Sequence, residues 1–519
     1  MGRTALFALP IASALLAVVT FPSFNLSPLA WLALAPFLFA LRRTGLRAAA
    51  GLGFLFGWLF TAGVFSWLPR LAVMTSWRVV IMYTGVAVYF LVFGLLYNLM
   101  SRLAGSWLLV GAPALWVAIE YARSNLFFLA LPWNLLGQSQ YRFLPVIQIA
   151  DITGLYGVSF LIVMVNQAFS EIPDVIAERV PWGTAGRARR LAFAGQLLAV
   201  TGALLLVLGY GWHRLVAPEP AERLRAALVQ ANVLAREQMT FPERVAHLRA
   251  YEQLTVEAAK SRPELIVWPS FSLPEPISFP LPSLFVRRLA RETGAHLLVG
   301  GAGGQKLGPR IEGDPSYSNS EFLVSPSGRI EGQYNKVRLT PFDEYVPLQG
   351  RIRWPRWISA LEESFQPGTE YTVFQVAAAR FGAPICWENS FPDVVRRFVA
   401  GGANFVASVT NEGFFGPTAA PYQALAMNVF RAVENRVAIV RAATTGVSGF
   451  ISPKGRVERV TDGNGHDLFV AGFLVRDVPL SRTKTFYTLY GDVFAQISIA
   501  VAALLLVVPP LVRRRVAKE

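Results

Sequence analysis

The chain contains a single cysteine, Cys386, which lies in a segment with the features of a nucleophilic site. The segment reads Gly-Ala-Pro-Ile-Cys-Trp-Glu-Asn-Ser-Phe-Pro-Asp over residues 382–393. A strand-like apolar run precedes it, and a helix-like run follows over 393–400, with Pro392 suited to the first turn. We expect a thiol at such a turn to be exposed and to lie near the positive end of the helix dipole, and both effects favour the reactive thiolate. The alternative is a buried cysteine that serves as a small apolar side chain.

A thiol nucleophile needs a group that takes its proton and a donor that stabilises the developing oxyanion. None of the four histidines lies near Cys386 in sequence, so a cysteine–histidine pair is not indicated. The histidines also lack metal-ligand spacing, and we expect neither a metal nor another cofactor. Residues 334–347, Tyr-Asn-Lys-Val-Arg-Leu-Thr-Pro-Phe-Asp-Glu-Tyr-Val-Pro, are more informative. There Lys336 closes a strand-like run and could place an ammonium group near the sulfur, although an isolated lysine is more often a solvated surface charge.

The composition indicates a membrane protein. Hydrophobic residues make up 53% of the chain and charged residues 16%, whereas soluble domains carry about 25% charged residues. The mean hydropathy is +0.42. A net charge of +15 is also found in nucleic-acid-binding proteins, but the arginines lie between apolar segments rather than along one stripe, so no nucleic acid partner is expected. A single cysteine excludes an intrachain disulfide framework and a four-cysteine zinc site.

Apolar segments long enough, or nearly long enough, to cross a bilayer recur through the first 212 residues, and one more lies near the C-terminus. About eight spans are predicted, the second and sixth being short: Leu6–Phe21, Leu29–Leu41, Ala48–Leu68, Val79–Met100, Trp107–Tyr121, Tyr156–Phe169, Leu191–Trp212 and Val493–Val512. Arginine clusters follow the second, sixth and last spans, and a single arginine follows the fourth, so the positive-inside rule places these loops and both termini in the cytoplasm. The prediction is a transmembrane domain over 1–212, an extracytoplasmic domain over 213–492, and a C-terminal transmembrane helix with a basic tail over 493–519.

The large polar segment alternates short β-branched runs with helical patterns, which predicts an α/β domain whose helices cover sheets. Strands are expected at Ala226–Gln230, Leu265–Trp268, His296–Gly300, Glu321–Val324, Thr372–Val376, Phe405–Thr410, Ala438–Arg441 and Leu468–Val475. Helices are expected at Pro242–Lys260, Leu281–Thr293, Pro392–Ala400 and Tyr422–Asn435. The turn sequences Ser-Pro-Ser-Gly at 325–328 and Ser-Pro-Lys-Gly at 452–455 each predict a hairpin.

Two aromatic stretches fit a soluble domain poorly. Phe271–Phe285 is apolar and rich in proline, and Gly350–Gly368 carries Trp354 and Trp357 beside basic residues. Each is either an ordinary surface loop or, because aromatic and basic side chains suit a bilayer interface, a lid over a lipid site to which Phe271, Trp354 and Trp357 contribute.

Several motifs together point to a family. Tyr-Asn-Lys is followed by Pro-Phe-x-Glu-Tyr-Val-Pro within 334–347, Ile-Cys-Trp-Glu by Phe-Pro-Asp within 385–393, and Thr-Asn-Glu-Gly-Phe-Phe-Gly stands at 410–416. With these motifs the chain resembles the carbon–nitrogen hydrolase (nitrilase-like) superfamily, and most closely its membrane-embedded branch, the apolipoprotein N-acyltransferases. The resemblance extends to further short motifs at 132–140, 229–232, 317–320 and 487–492.

The resemblance implies an αββα sandwich, a Glu-Lys-Cys triad and residence in the bacterial inner membrane with the catalytic domain on the periplasmic side. It also implies two-step acyl transfer, in which the thiolate attacks a phospholipid ester to form a thioester. The N-terminal amine of a diacylglyceryl-cysteine apolipoprotein then takes the acyl chain. The positions carried over are one nucleophile, one cation and four supporting residues: Cys386; Lys336; Glu344, Glu388, Trp387 and Asn411.

One motif departs from the family. Its general base follows Trp-Pro directly, but here that position is Ser270, which cannot act as a carboxylate base. Loss of a positioned base typically costs about 10²–10⁴-fold in rate. Glu344 or Glu275 takes over the proton, or the chain is an impaired or specialised homologue, or it is a non-catalytic relative that binds lipid or lipoprotein. A membrane-tethered amidase of the nitrilase type is a further alternative.

Overall fold

The computed structural model describes residues 3–71, 74–177, 184–234, 239–304, 317–355, 358 and 364–516. The chain forms two compact units. One consists of Met1–Ala217 together with Tyr490–Glu519, and the other of Pro218–Leu489. The first unit is helical and the second is α/β.

The helices of the first unit are α1 (Arg3–Val18), α2 (Ala30–Ala33), α3 (Ala35–Arg42), α4 (Leu46–Val64), α5 (Ser76–Leu103), α6 (Leu108–Asn125), α7 (Leu144–Ile147), α8 (Ala150–Thr153), α9 (Leu155–Ala177), α10 (Thr184–Val216) and α16 (Val493–Val516). Within the described residues, five helical stretches are long and apolar enough to cross a membrane: Leu46–Val64, Ser76–Leu103, Gly105–Asn125, Leu155–Ile176 and Arg190–Val216. Shorter apolar helices cover Leu6–Val18, Ser27–Arg42, Leu144–Thr153 and Val493–Val508.

Glycines allow α4 and α5 to pack with their backbones in close contact. A Cβ on Gly53 would lie 2.2 Å from the carbonyl oxygen of Phe90, and a Cβ on Gly94 would lie 2.4 Å from that of Ala49. Larger side chains at these two positions would push the helices apart.

All eight predicted spans are largely helical, but the second is not continuous. It is broken between α2 and α3, where the backbone N–H groups of Leu34 and Ala35 donate to Oδ1 of Asn166 at 2.8 and 3.0 Å. This buried amide satisfies donors that the interrupted helix leaves without an internal acceptor. The pattern of apolar residues could not reveal the break, because its cause lies on another helix.

The α/β unit contains two six-stranded sheets. The strands are β1 (Arg223–Gln230), β2 (Leu265–Val267), β3 (His296–Gly303), β4 (Ser318–Val324), β5 (Ile330–Asn335), β6 (Phe374–Val376), β7 (Ala379–Gly382), β8 (Phe405–Thr410), β9 (Ala438–Ala443), β10 (Gly449–Ile451), β11 (Val457–Arg459) and β12 (Gly472–Pro479). The helices are α11 (Phe241–Ala259), α12 (Pro280–Thr293), α13 (Pro392–Ala400), α14 (Ala420–Asn435) and α15 (Phe486–Tyr490). The sheet orders are β12-β1-β2-β3-β4-β5 and β11-β10-β9-β8-β7-β6.

The two sheets form the inner layers of an αββα sandwich, which confirms the expected fold class. Helices α11 and α12 cover the first sheet, with Tyr251 and Val286 packed in one apolar core with Ile266 and Val299. Helix α13 lies so close to β7 that a Cβ on Gly382 would meet the ring of Phe398 at 2.2 Å.

The predicted helices and hairpins of this unit are confirmed, with small shifts at their ends. The turn at 325–328 joins β4 to β5, and the turn at 452–455 joins β10 to β11. The last predicted strand starts later than expected, at Gly472, and runs on to Pro479. The last six residues of the stretch Phe271–Phe285 are not a loop, because α12 begins at Pro280.

Candidate active site

Cys386 starts a short 3₁₀ helix, Cys386–Ser390, between β7 and α13. Its backbone has φ of +49°, in the left-handed region that residues with a Cβ rarely adopt and that is often found at functional sites. The residue is partly exposed. Its sulfur lies 4.0 Å from the carbonyl oxygen of Asn411, at the end of β8.

The expectation that this thiol is readily ionised is wrong. Burial raises the pKa of the Cys386 thiol above its usual value, although the ammonium of Lys336 and the hydroxyl of Thr410 act in the opposite direction. Helix α13 begins only at Pro392, so the sulfur is not at its first turn, where the dipole acts. The thiol therefore needs a base to become a nucleophile at neutral pH.

Lys336 follows β5 and forms a buried ion pair. Its Nζ donates to Oε2 of Glu344 at 2.6 Å, and its side chain is 1% exposed. Burial by itself lowers the pKa of Lys336, but Glu344 and Cys386 outweigh it, so the pKa is raised. The lysine therefore stays charged beside the thiol, as an oxyanion-stabilising group must.

Glu344 has several partners. Besides Lys336, it accepts hydrogen bonds from Nδ2 of Asn319 and from the backbone N–H of Thr340, both at 2.7 Å. Burial by itself raises the pKa of Glu344, but Lys336 and the hydrogen-bond donors lower it overall. A carboxylate stabilised in this way is a weak base, so the geometry does not favour Glu344 as the acceptor of the thiol proton.

Glu388 connects the cysteine segment to the lysine segment. Its two oxygens accept hydrogen bonds from the N–H groups of Ile385, Val337 and Arg338 at 2.8–2.9 Å and from the hydroxyl of Tyr334. Ile385 precedes Cys386, and Val337 follows Lys336. One buried carboxylate therefore fixes the position of the nucleophile relative to the cation.

Asn411, whose carbonyl oxygen lies 4.0 Å from the sulfur, is held by its own side chain. Oδ1 of Asn411 accepts hydrogen bonds from Oγ1 of Thr444 at 3.0 Å and from the N–H of Gly413 at 3.3 Å. The next residue, Glu412, forms a buried ion pair with Arg441. Trp387, beside the cysteine, packs edge-on against Phe391.

Ser270 occupies the position at which the resemblance implies a general base. Ser270 is fully buried, and among the described residues its Oγ has no hydrogen-bond partner. The nearby Glu275 is bound in an ion pair with Arg244 of α11. Neither of the two carboxylates that the sequence nominated, Glu275 and Glu344, is therefore free to act as a base.

Sequence reasoning missed Glu321. This residue lies in β4 and is 0% exposed, yet neither of its carboxyl oxygens has a hydrogen-bond partner among the described residues. Burial raises its pKa well above that of an ordinary glutamate. The available signal was a single acid in front of Phe-Leu-Val, inside a strand that is otherwise uncharged.

The expected lid residues are only partly described. Phe271 is half-buried, with its ring centroid 6.2 Å from that of Phe365. Nε1 of Trp354 donates to the carbonyl oxygen of Pro347 at 2.6 Å, and its ring meets Phe342 edge-on. Trp357 lies outside the described residues.

Among the described residues, no group of three histidine, cysteine or acidic side chains is arranged to hold a metal ion. The side chains around Cys386 are a thiol, a charged lysine and a network of carboxylates. This is a set suited to acyl transfer through a covalent intermediate.

Two family models match the chain. The apolipoprotein N-acyltransferase N-terminal domain matches residues 13–168, and the carbon–nitrogen hydrolase domain matches residues 225–484. A relative from Geobacter metallireducens, named apolipoprotein N-acyltransferase, is 35% identical over 96% of this chain and 94% of its own length. A relative of the same name from Chlorobaculum tepidum is 29% identical over 98% of this chain and 97% of its own length.

Among solved structures, an amidase from Nesterenkonia sp. is similar at 22% identity over 51% of this chain and 93% of its own, with a TM-score of 0.37. The relatives named above, by contrast, match both the helical part and the α/β part. With its two family domains in order and its full-length relatives, this chain belongs to the apolipoprotein N-acyltransferase family.

Proposed function

We propose that this protein transfers an acyl chain from a phospholipid to the N-terminal amine of diacylglyceryl-cysteine on apolipoproteins, through a thioester on Cys386. The observation that carries the proposal is the linkage of Cys386 and Lys336 through the buried carboxylate of Glu388. That linkage holds a nucleophile beside a cation, and the names of the full-length relatives supply the reaction class.

In the first half of the reaction, the sulfur attacks the ester carbonyl of the phospholipid. The Sγ–C bond forms, the thiol proton leaves, and the negative charge that develops on the carbonyl oxygen lies near the Lys336 ammonium. The C–O bond then breaks, and the lysophospholipid departs with a proton on its glyceryl oxygen. Cys386 is left as a thioester.

In the second half, the neutral amine of the diacylated cysteine attacks the thioester carbonyl. The N–C bond forms, the S–C bond breaks, and the proton lost by nitrogen returns to sulfur. A thioester suits this role because it transfers its acyl chain to an amine more readily than the donor ester does, and the amide that forms is the more stable product.

We further propose that the α/β unit lies on the extracytoplasmic side of the bacterial inner membrane and that both termini are cytoplasmic. The support is the placement of basic residues: Arg42 ends α3, Arg43 follows it, Arg47 lies in the first turn of α4, and Arg102 lies in the last turn of α5. The positive-inside rule places both loops in the cytoplasm.

The alternatives are less favoured. A nitrilase-type amidase would use the same thiol, but the curated relatives that match along nearly the whole chain bear the acyltransferase name. A binding protein without catalysis would not need Lys336 charged and paired in a dry site at a cost in desolvation.

The experiment is reconstitution of the purified protein with phospholipid and a synthetic diacylated lipopeptide, followed by mass spectrometry of the peptide. We expect triacylated peptide with the wild-type chain and none with Cys386→Ala. A parallel incubation with short aliphatic amides and nitriles tests the amidase alternative, for which ammonia would be released. Ammonia release without peptide acylation would overturn the proposal.

A further inference from the structure

Position 270, where a general base was expected, carries no acid, whereas the buried acid Glu321 has no hydrogen-bond partner within the described part of the chain. Glu321 is 0% exposed, and its two oxygens have no hydrogen-bond partner among the described residues. A buried polar group without a partner costs about 1–3 kcal/mol, and more if it is charged. A carboxyl group kept at that cost is a candidate for function.

Strand pairing places Glu321 on the same side of the sheet as the candidate site. It pairs with Gly300 on β3 and with Tyr334 on β5, and directly paired residues share a face. The hydroxyl of Tyr334 donates to Glu388. Two residues before Glu321 on the same strand, Asn319 donates to Glu344.

A glycine makes room for this carboxyl group next to Ser270. A Cβ built on Gly300 would lie 2.4 Å from Oε1 of Glu321, 2.7 Å from Cα of Ser270 and 2.8 Å from the backbone nitrogen of Phe271. Because both atoms lie within 2.7 Å of the same point, Oε1 of Glu321 is a close neighbour of the Ser270 backbone. A side chain at position 300 would fill the gap in which the carboxyl group now lies.

Several buried polar atoms of this unit have no hydrogen-bond partner within the part of the chain that the structure describes. Among the described residues, Oγ of Ser270, Oδ1 of Asn319 and the hydroxyl of Tyr251 have none, as do the two Glu321 oxygens. Tyr251 is close enough that Glu321 contributes, after burial, to raising the pKa of its phenol. Of these residues, Ser270 and Glu321 both have an atom within 2.7 Å of the same point beside Gly300, and buried polar atoms without partners call for a functional explanation.

We propose that Glu321 replaces the carboxylate that the family carries directly after Trp-Pro and acts as the general base of the site, reaching the same place from β4 instead of from the end of β2. The substrates of this inference depend on the proposed acyl transfer. The role of Glu321 as the base for the Cys386 thiol does not depend on that proposal.

The proton path balances in both halves of the reaction. Glu321 takes the proton of Cys386 as the Sγ–C bond forms and returns it to the glyceryl oxygen as the C–O bond breaks. In the second half it takes a proton from the attacking amine and passes it to the sulfur as the S–C bond breaks. Burial raises the pKa of the Glu321 carboxyl group, which makes it a stronger acceptor of the thiol proton than an ordinary carboxylate.

Two acyl donors distinguish the loss of a proton-transfer group at position 321 from a structural disturbance caused by the substitution. A phospholipid has a poor leaving group that needs the returned proton, whereas a p-nitrophenyl ester has a leaving group that does not. Acylation of Cys386 is followed by intact-protein mass spectrometry in a single turnover, with Cys386→Ala as the blank for acylation of other side chains. The p-nitrophenyl ester needs no lipoprotein and no phospholipid, so this half of the test stands even if the proposed natural substrates are wrong.

We expect Glu321→Gln to slow acylation by phospholipid about 10²–10⁴-fold, and acylation by the p-nitrophenyl ester less. The defect with the p-nitrophenyl ester should shrink as the pH rises and the thiol ionises without help. A merely structural effect would slow both donors equally at every pH. The matched control is Glu275→Gln, which removes a nearby carboxylate that is bound to Arg244 and should leave both rates unchanged.

Relocating the acid provides a rescue. Glu321→Ala empties the gap, and Ser270→Glu in that background restores a carboxylate at the family's position. We expect the double variant to acylate Cys386 at least about tenfold faster than Glu321→Ala does. Ser270→Glu alone should bring no gain, because it forces two acids into one dry gap. Wild-type rates in Glu321→Gln, a loss in Glu275→Gln instead, or a gain from Ser270→Glu alone would each overturn the proposal.

Discussion

Nζ of Lys336 and Oε2 of Glu344 form a 2.6 Å ion pair inside the α/β unit, with both side chains almost fully buried. Each residue shifts the pKa of the other toward the charged form. The pair thus provides a permanent positive charge beside Cys386, and it prevents Glu344 from serving as an easy proton acceptor. Because Glu344 is committed to Lys336 in this ion pair, a different acid must accept the thiol proton.

Breaking this pair should affect stability and activity separately. Lys336→Met leaves Glu344 buried without its cation, for which losses of about 3–5 kcal/mol are typical, and it removes the oxyanion donor. We expect a lower thermal midpoint and no acylation of Cys386. Lys336→Met with Glu344→Gln should recover most of the midpoint, measured by thermal unfolding in detergent, but none of the activity. Recovery of activity in the double variant would contradict the role of Lys336.

Glu388 should act through position. In Glu388→Gln, an amide NH₂ replaces one oxygen and faces a backbone N–H group, which costs about 1–3 kcal/mol. Since a misplacement of about 1 Å costs about 10²-fold in rate, we expect a loss of that order in acylation. The matched variant Tyr334→Phe removes one of the four donors to Glu388 and should lose much less. Equal losses in the two variants would show that Glu388 does not connect the two segments.

The buried acid at position 321 should produce a specific pH dependence of stability. Because burial raises its pKa, the folded state keeps a proton that the unfolded state has released, so stability falls as the pH rises above the ordinary glutamate pKa. Glutamine does not titrate. The thermal midpoint of Glu321→Gln minus that of wild type should therefore grow as the pH rises above the ordinary glutamate pKa of about 4.3.

Glu257→Gln is the control for that measurement, because Glu257 is an exposed acid on α11 paired with Lys260. Its difference from wild type should stay nearly constant across the same pH range. A constant difference for Glu321→Gln as well would mean that this carboxyl group titrates normally.

The proposed lid role of Trp354 predicts an effect that depends on the donor. Trp354→Ala removes the contact with Phe342 and the hydrogen bond to Pro347. We expect KM for phospholipid to rise several-fold, while acylation by a short-chain p-nitrophenyl ester is unchanged. Phe241→Ala removes an aromatic side chain that is 61% exposed on α11 and should change neither. Equal losses with both donors would instead indicate damage to the site itself.

Much of this architecture could be predicted from the sequence because the signals are local. Apolar runs of bilayer length predict the helices of the first unit, and Ser-Pro-x-Gly turns predict the two hairpins. The segments around Lys336 and Cys386 carry motifs that identify the family. Each of these features depends on residues that are near one another in the chain.

The remaining features depend on contacts between distant residues. The break between α2 and α3 depends on Asn166, and the protonation of Cys386 depends on burial by neighbouring elements. The gap beside Ser270 depends on Gly300 of another strand. No pattern within β4 could show that Glu321 faces that gap, because strand register decides it.

In the proposed reaction, Cys386 carries the acyl chain between the phospholipid and the lipopeptide amine. The most direct measurement is mass spectrometry of the protein after incubation with phospholipid alone, before and after addition of a diacylated lipopeptide. We expect an acyl adduct on Cys386 that hydroxylamine removes, that disappears as triacylated peptide forms, and that is absent from Cys386→Ala. Triacylated peptide formed with no adduct on Cys386, or formed equally well by Cys386→Ala, would contradict it.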